Sequence, residues 1–157
     1  MIEHFDPLQT SRLSLEPVTA QLALSIAAGD VAGLGAAEGW PQAGTKNGVA
    51  LAIEHGHPAG WLVRWDDRVI GDCGIRSPVD DTGCVEIGYG LAELYRGRGF
   101  GTEVVVAISD WLLGQSSVSA VRATTLVTNA ASRRVLEKAG FAIVGTTQDG
   151  VVYERRS

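Results

Sequence analysis

The chain has 157 residues, of which 45% are hydrophobic and 20% are charged, and its formal net charge is −5. These values are typical of a globular protein with a buried core, so we expect one domain over residues 1–157 that folds without a metal or a disulfide. The negative net charge argues against an extended nucleic-acid interface, because phosphate contacts require a basic face. No apolar run approaches the roughly 18 residues of a membrane span and no leader-like segment opens the chain, so we expect no membrane partner and a cytoplasmic location.

The chain contains two cysteines, Cys73 and Cys84. There is no second pair of cysteines, so the sequence indicates no disulfide framework, and no histidine lies at zinc-ligand spacing from either cysteine. We therefore expect structural thiols and no metal site.

The first half of the chain predicts one strand, two helices and a run of strands. A polar and apolar alternation ends at Pro17, and Thr19 can cap a helix that ends near Gly29. Residues 30–48, rich in Gly and Ala, do not distinguish loop from helix, whereas residues 49–54 favour a helix. Short polar turns join the later strands, which indicates an antiparallel meander. The predicted strands cover residues 10–17, 61–65, 69–75 and 84–91.

The second half predicts a helix, a strand, a helix and a hairpin. Val104, Ile108 and Leu112 recur at helical spacing and predict a helix of about three turns. β-Branched residues over 121–128 favour a strand, and a helix over 130–138 ends at a glycine. An Asp-Gly turn then predicts a hairpin. Its two strands cover residues 141–146 and 151–155.

A glycine-rich segment, residues 95–102, lies between a predicted strand and the first helix of the second half. Glycines at 97, 99 and 101 can take positive φ angles and let an anion approach the main chain at the positive end of the helix dipole. Arg96 and Arg98 add donors that suit phosphate oxygens. The segment therefore favours a pyrophosphate site. A flexible glycine turn with solvated arginines stays open, and the dinucleotide fingerprint fits poorly because Thr102 stands at its third glycine position.

Four segments taken together resemble the GNAT superfamily of acetyltransferases. The opening strand is similar to that of the branch containing the ribosomal-protein N-terminal acetyltransferases, and the likeness covers about residues 10–155, most weakly over 30–58. The four segments are Glu86-Ile87-Gly88-Tyr89-Gly90-Leu91, Arg96-x-x-Gly99-x-Gly101, Asn129-x-x-Ser132 and Lys138-Ala139-Gly140-Phe141.

The resemblance implies an α/β fold of the α+β type, with a mixed, largely antiparallel sheet of about seven strands flanked by about four helices. Strands four and five of that fold, here residues 84–91 and 121–128, part to admit the pantetheine arm of coenzyme A. The implied reaction moves an acetyl group from acetyl-CoA to a primary amine, either a protein N-terminus or a small-molecule amine, by direct attack.

The resemblance also implies the residues that hold acetyl-CoA. Main-chain donors of one residue would contact the pantetheine and acetyl portion, and those of the glycine-rich segment would bind the pyrophosphate. Asn129 would contact the pantetheine arm, cap the next helix, or do both. The implied cofactor-binding residues are Leu91, Arg96, Gly97, Arg98, Gly99, Phe100, Gly101, Thr102 and Asn129.

Glu86 is the expected proton acceptor, because it lies on the strand that would line the acceptor site and a buried carboxylate needs a partner or a raised pKa. Alternation also permits Glu86 to face solvent. Leu136 stands where many relatives carry a tyrosine that protonates the leaving thiolate. Tyr89 and Ser132 are the candidates to replace it, and Ser132 has the alternative role of packing in its helix.

Two other function classes stay open. One is a non-catalytic acetyl-CoA-binding or assembly module, for which the missing tyrosine leaves room. The other is a nicotinamide-dependent oxidoreductase. Acceptor specificity would come from residues 30–58, with Trp40 as a candidate for the acceptor pocket, and from residues 77–83. The sheet edges and terminal hairpin leave a homodimer open.

Overall fold

The computed structural model describes residues 2–157, and within them eight strands form one sheet. The strand order is β1-β2-β3-β4-β5-β6-β8-β7, and the pair β5 and β6 is parallel whereas the other pairs are antiparallel. The strands are β1 (Leu8–Gln9), β2 (Ser14–Pro17), β3 (Trp61–Trp65), β4 (Arg68–Ile75), β5 (Cys84–Leu91), β6 (Ala120–Leu126), β7 (Ala142–Thr146) and β8 (Gly150–Arg156). The helices are α1 (Ala20–Ala27), α2 (Ala43–His55), α3 (Phe100–Leu113) and α4 (Ala130–Lys138), with a short 3-10 helix at Glu93–Tyr95.

The predicted fold class is confirmed, with several differences in detail. Strand β2 begins at Ser14 instead of at residue 10, and β6 ends at Leu126 instead of at residue 128. The sheet gains an eighth strand because Leu8–Gln9 pairs with the start of β2. Helix α2 begins at Ala43, inside the segment whose pattern was ambiguous, because Gln42 and Thr45 form its capping box instead of a Ser, Thr, Asp or Asn N-cap. The cap of α1 is the predicted one, since the Thr19 hydroxyl accepts a hydrogen bond from the Leu22 amide at 3.1 Å.

The helices cover opposite faces of the sheet. Trp61 and Val63 of β3 belong to the core that contains the buried residues of α3 and α4, whereas Leu62 belongs to the core formed with α1 and α2. Alternate side chains of a strand point to opposite faces, so the two cores lie on the two sides of the sheet. Each large apolar side chain that is fully buried contributes roughly 1.5–3 kcal/mol to folding.

A gap opens between the carboxyl-terminal halves of β5 and β6. Their pairing is confined to Cys84↔Ala120, Val85↔Val121 and Glu86↔Arg122, although β5 continues to Leu91 and β6 to Leu126. Beyond Glu86 the residues of β5 pair with β4 alone, and those of β6 beyond Arg122 pair with β8. The expected splaying of these two strands is therefore present, and it lies next to the start of α3.

The helices of residues 2–157 include none that combines the length and the apolar character needed to cross a membrane.

Candidate functional site

The amino-terminal end of α3 presents an unusual run of free backbone donors. Gly97 and Gly99 have φ angles of 75° and 82°, a region that residues with a Cβ rarely adopt. Gly99 is the N-cap and supplies no side chain to the helix start. Across residues 97–102, no amide N–H donates a hydrogen bond to another part of the described chain. Such groups at the positive end of a 14-residue helix form a site for an anion.

Gly101 has a different role from the one expected of it. It is the second residue of α3 and is not among the glycines with positive φ. A Cβ at this position would lie 3.3 Å from Cγ2 of Val135 on α4. The glycine therefore allows α3 and α4 to pack closely.

The arginines of the loop are held by contacts within the protein. The Nε of Arg96 donates to the Leu91 carbonyl at 3.0 Å, so this arginine joins the loop to the end of β5. The guanidinium of Arg98 lies 5.7 Å from the ring of Trp65 and 5.5 Å from the ring of Tyr95. Both side chains stay exposed, which leaves their remaining donors free for an anion.

Arg12 also holds the loop, a role that no local pattern in the sequence indicates. Its Nη1 donates to the Arg98 carbonyl at 3.0 Å, and its Nε and Nη2 contact Oε2 of Glu103 at 2.9 Å. Glu103 in the first turn of α3 also accepts from the Thr10 hydroxyl at 2.5 Å. Although burial acts to raise the pKa of Glu103, the hydrogen bonds from Thr10 and Arg12 outweigh it and lower that pKa. A charged brace therefore fixes the loop to the segment before β2.

Tyr89 and Ser132, two of the proposed catalytic residues, lie together. The Tyr89 hydroxyl on β5 and the Ser132 Oγ on α4 are 2.7 Å apart, a distance of a good hydrogen bond. Burial raises the pKa of Tyr89, and the hydrogen bond with Ser132 opposes that effect less strongly. The phenol is therefore a proton donor that stays neutral well above physiological pH. Leu136 is fully buried in the core and offers no such group.

Asn129 caps α4, which confirms one of the two roles expected of it. Its Oδ1 accepts a hydrogen bond from the Ser132 amide at 3.1 Å. Its side chain is exposed, so an interaction of its amide group with a ligand is compatible with the cap. Phe100 packs its ring in the core, and Thr102 is partly buried in the first turn of α3, so both would meet a cofactor through their backbone.

Glu86 lies where β5 and β6 are still paired, before the gap opens. Its Oε1 accepts a hydrogen bond from the Thr124 hydroxyl at 2.8 Å, and its Oε2 lies 4.0 Å from Nε of Arg76. Its side chain is 37% exposed. The carboxylate therefore has both a neutral and a cationic partner, and its role as proton acceptor stays a prediction.

A cleft of about 450 Å³ lies on the α1 and α2 side of the sheet. Its walls come from α2 and from the residues of β4 and β5 that face these helices. Trp40, the expected candidate for the acceptor pocket, does not line the cleft; its ring is buried in the core behind it. Its lining includes Gln42, Thr45, Asp72, Arg76, Gly88, Tyr89, Gly90 and Arg96.

Asp72 on β4 is the functional candidate that the sequence analysis missed. Its Oδ2 accepts hydrogen bonds from the Trp40 Nε1 at 2.9 Å and from the Thr45 hydroxyl at 2.5 Å. Burial raises its pKa, and the hydrogen bonds from Thr45 and Trp40 oppose the shift. An aspartate within an apolar strand was the available signal, because a carboxylate is buried only at a cost unless it has partners.

Cys73 and Cys84 are buried free thiols, and burial raises the pKa of both. They are therefore poor nucleophiles at neutral pH, which agrees with a structural role. Among residues 2–157, no group of three or more His, Cys, Asp or Glu side chains is arranged to hold a metal ion.

Splayed parallel strands beside a free helix start define a fold and a site of the acetyltransferase type. The chain matches the family described as "Acetyltransferase (GNAT) domain" over residues 12–142, and it belongs to that family. Among curated proteins it is 28% identical over 85 residues to an uncharacterized N-acetyltransferase, YjdG, of Bacillus subtilis (strain 168), a match that covers 53% of this chain and 51% of that protein. A second, p20 of Bacillus licheniformis, is 30% identical over 88 residues, which cover 56% and 49% of the two chains. The matches thus span about half the length of these relatives.

Solved structures show the same fold at low sequence identity. RimL, a ribosomal L7/L12 alpha-N-protein acetyltransferase in complex with coenzyme A, gives a TM-score of 0.70 at 16% identity, over 96% of this chain and 98% of that one. An acetyltransferase from Agrobacterium tumefaciens str. C58 gives 0.67 at 22% identity, over 100% and 98%. The aminoglycoside acetyltransferase AAC(6')-Ib in complex with coenzyme A gives 0.66 at 20%, over 92% and 94%.

Proposed function

We propose that this chain is a single N-acetyltransferase domain that transfers the acetyl group of acetyl-CoA to a primary amine. The observation that carries the proposal is the run of free N–H groups over residues 97–102 at the start of α3, directly beside the gap between β5 and β6. Those donors suit a pyrophosphate, and the gap suits the narrow arm that follows it in coenzyme A. Three solved relatives of this fold were determined with coenzyme A or acetyl-CoA, which agrees with the proposal.

The chain has groups suited to each part of the donor substrate. The loop amides, with the free donors of Arg96 and Arg98, would bind the pyrophosphate. The main chain at Leu91 and the side chain of Asn129 flank the two sides of the gap and would contact the pantetheine arm. Because Arg12 and Glu103 fix the loop before any ligand arrives, little ordering entropy is lost on binding.

The reaction needs a neutral amine, a positioned thioester and a proton for the leaving sulfur. The amine nitrogen attacks the carbonyl carbon of the thioester, a C–N bond forms, and the C–S bond breaks. We assign the proton donor for the thiolate to the hydroxyl pair of Tyr89 and Ser132, which lies across the gap. Glu86 is the assigned acceptor of the proton that the amine releases, directly or through water, with Thr124 orienting its carboxylate.

The acceptor is a primary amine, either of a protein N-terminus or of a small molecule. Solved structures of this fold include a protein alpha-N-acetyltransferase and an aminoglycoside acetyltransferase, so the fold alone is compatible with both classes. The cleft between α2 and the sheet is the proposed acceptor site, because it is lined by Tyr89 and Gly90 at the edge of the gap.

Calorimetry with coenzyme A and two matched valine variants tests the donor site. Gly97 and Gly33 have φ angles of 75° and 79°, and a Cβ at either would meet no described atom within 4 Å. Gly97→Val and Gly33→Val therefore impose similar backbone strain, and only Gly97→Val puts a side chain among the loop amides. We expect coenzyme A affinity to fall at least tenfold, about 1.4 kcal/mol, in Gly97→Val and to stay unchanged in Gly33→Val.

Release of free thiol, followed with a panel of amines and peptides, tests the activity. Steady turnover with any acceptor supports the proposal. Tight coenzyme A binding without turnover on the whole panel would favour the non-catalytic module instead. The buried Leu136, which stands in place of a tyrosine and has no proton to donate, would agree with that result. Equal coenzyme A affinity in both valine variants, or none in the unaltered protein, would refute the donor site.

A further inference from the structure

We propose that Asp72 binds the ammonium group of the acceptor, and that the rest of the acceptor is neutral or anionic instead of polycationic. This inference rests on the proposed function and assigns the acceptor side of the same site. It concerns binding and orientation of the amine, and it involves no covalent step at Asp72.

The carboxylate of Asp72 has one oxygen to spare. Both hydrogen bonds, from Trp40 and Thr45, reach Oδ2. Oδ1 accepts none from any described residue, and it is not among the atoms sealed from solvent. A partly buried carboxylate with an open oxygen in a cleft is a binding group for a cation, because a cation compensates the lost hydration of the charge.

The floor of the cleft beside Asp72 lacks side chains. Asp72 pairs with Gly90 on β5, and Gly88 follows on the same face two residues away. Neither glycine has a positive φ, so the backbone conformation does not require glycine at these positions. A Cβ at Gly90 would lie 3.2 Å from the Gln42 Oε1, and one at Gly88 would lie 3.5 Å from the Arg76 side chain. The side chains of Gln42 and Arg76 therefore lie over these two glycines, and β5 itself contributes no side chain to this part of the cleft.

The position of Asp72 suits delivery of the amine to the thioester. Gly90 directly precedes Leu91, the last residue of β5, where the gap to β6 is open. An ammonium held at Asp72 is thus separated from the gap by one strand, β5, which lies about 5 Å from β4 in the hydrogen-bonding direction. A bound acceptor therefore has its amine as the group nearest to the thioester.

The charges around the cleft limit what accompanies the amine. Asp72 is the one acidic residue among the described residues that line it, and Arg76 and Arg96 are the cationic ones. Arg76 is 4.0 Å from Glu86, and Arg96 is held by the Leu91 carbonyl, so both guanidinium groups stay near the cleft. A second and third ammonium would be repelled by these arginines, whereas a carbonyl or carboxylate would be hydrogen-bonded by Arg76, because the free donors of Arg96 are assigned to the pyrophosphate. This arrangement fits an amine next to a carbonyl group, as at a peptide amino terminus.

Asp72→Asn separates this role from a structural one. Asparagine keeps the shape and can still accept from Trp40 and Thr45, but it carries no charge. We expect KM for alanyl-alanine amide, which has one ammonium, to rise about tenfold or more, with coenzyme A affinity unchanged. Asp149→Asn makes the same change at an exposed turn outside the cleft and should leave KM unaltered.

Thermal unfolding distinguishes the outcomes. Because burial raises the pKa of Asp72, ionisation costs stability above its ordinary titration range, so Asp72→Asn should have an equal or higher Tm at pH 7. A lowered Tm together with unchanged KM would show a structural role and overturn the inference, as would preference for spermidine over alanyl-alanine amide. In both of those cases coenzyme A binding and turnover persist. Loss of coenzyme A affinity in the unaltered protein would instead refute the proposed function and this inference with it.

Discussion

Tyr89→Phe removes the hydroxyl group that we assign to protonation of the leaving thiolate and leaves the ring in place. The hydroxyl lies 2.7 Å from the Ser132 Oγ, and Ser132 in turn sits in the first turn of α4, beside the gap. General acids in enzymes contribute about 100- to 10,000-fold. A thiolate is a good leaving group, so we expect the low end, a fall in kcat of about 100-fold, with coenzyme A affinity within a factor of two of the unaltered protein.

The stability cost of the same change is small enough to leave the protein folded. One hydrogen bond of a partly buried phenol is worth roughly 0.5–1.5 kcal/mol, a minor fraction of the stability of a domain. Tyr153→Phe is the matched control, because the Tyr153 hydroxyl accepts a hydrogen bond from Arg133 at 3.1 Å and so also joins a strand to α4. We expect Tyr153→Phe to lose comparable stability and to keep its kcat.

Single-turnover thiol release at saturating acetyl-CoA measures the chemical step for both variants. Since burial raises the pKa of Tyr89, its neutral form persists above a tyrosine's usual pKa of about 10, so kcat of the unaltered protein should not fall on the alkaline side below that pH. Equal kcat in Tyr89→Phe and Tyr153→Phe would refute the assignment. A kcat of the unaltered protein that falls as the pH rises just above neutrality, with no such fall in Tyr89→Phe, would also refute it.

Two further predictions concern acidic residues. Glu86→Gln keeps an acceptor for Thr124 but no base, so kcat should fall at least tenfold with coenzyme A affinity unchanged in calorimetry; an unaltered kcat would remove Glu86 from the mechanism. Glu103→Gln weakens the brace to Arg12. Because the pKa of Glu103 in the folded protein is lowered, its contribution to the free energy of unfolding is present at neutral pH and is lost as the pH falls through that pKa. Urea unfolding should show a loss of roughly 1 kcal/mol at pH 7 that becomes smaller as the pH falls below the usual glutamate pKa of about 4.3, and a loss that does not change with pH would contradict the reasoning.

The bounds of several helices and strands could be predicted from the sequence, because they depend on residues that are close together in the chain. The bounds of β5 and α4 match the predicted ones, since apolar alternation, an N-cap and a C-terminal glycine all act within a few residues. The loop of free amides was also predictable, because Gly97 and Gly99 bear positive φ angles that their neighbours cannot. The start of α2 was not, because its Gln42 cap is rare and its glycines weaken the helical pattern.

The sequence by itself therefore determined the order of four helices and seven strands, the family, and the loop that we propose binds a pyrophosphate. Only the tertiary structure decided which distant residues meet: Arg12 with Glu103 and Arg98, Tyr89 with Ser132, and Asp72 with the bare strand at Gly90. The physical reason is that periodicity and capping act over a few residues, whereas sheet register and helix packing set contacts between residues far apart in the chain. Gly101 shows the difference within one motif, since its glycine serves a contact with Val135 on another helix and not the conformation of its own loop.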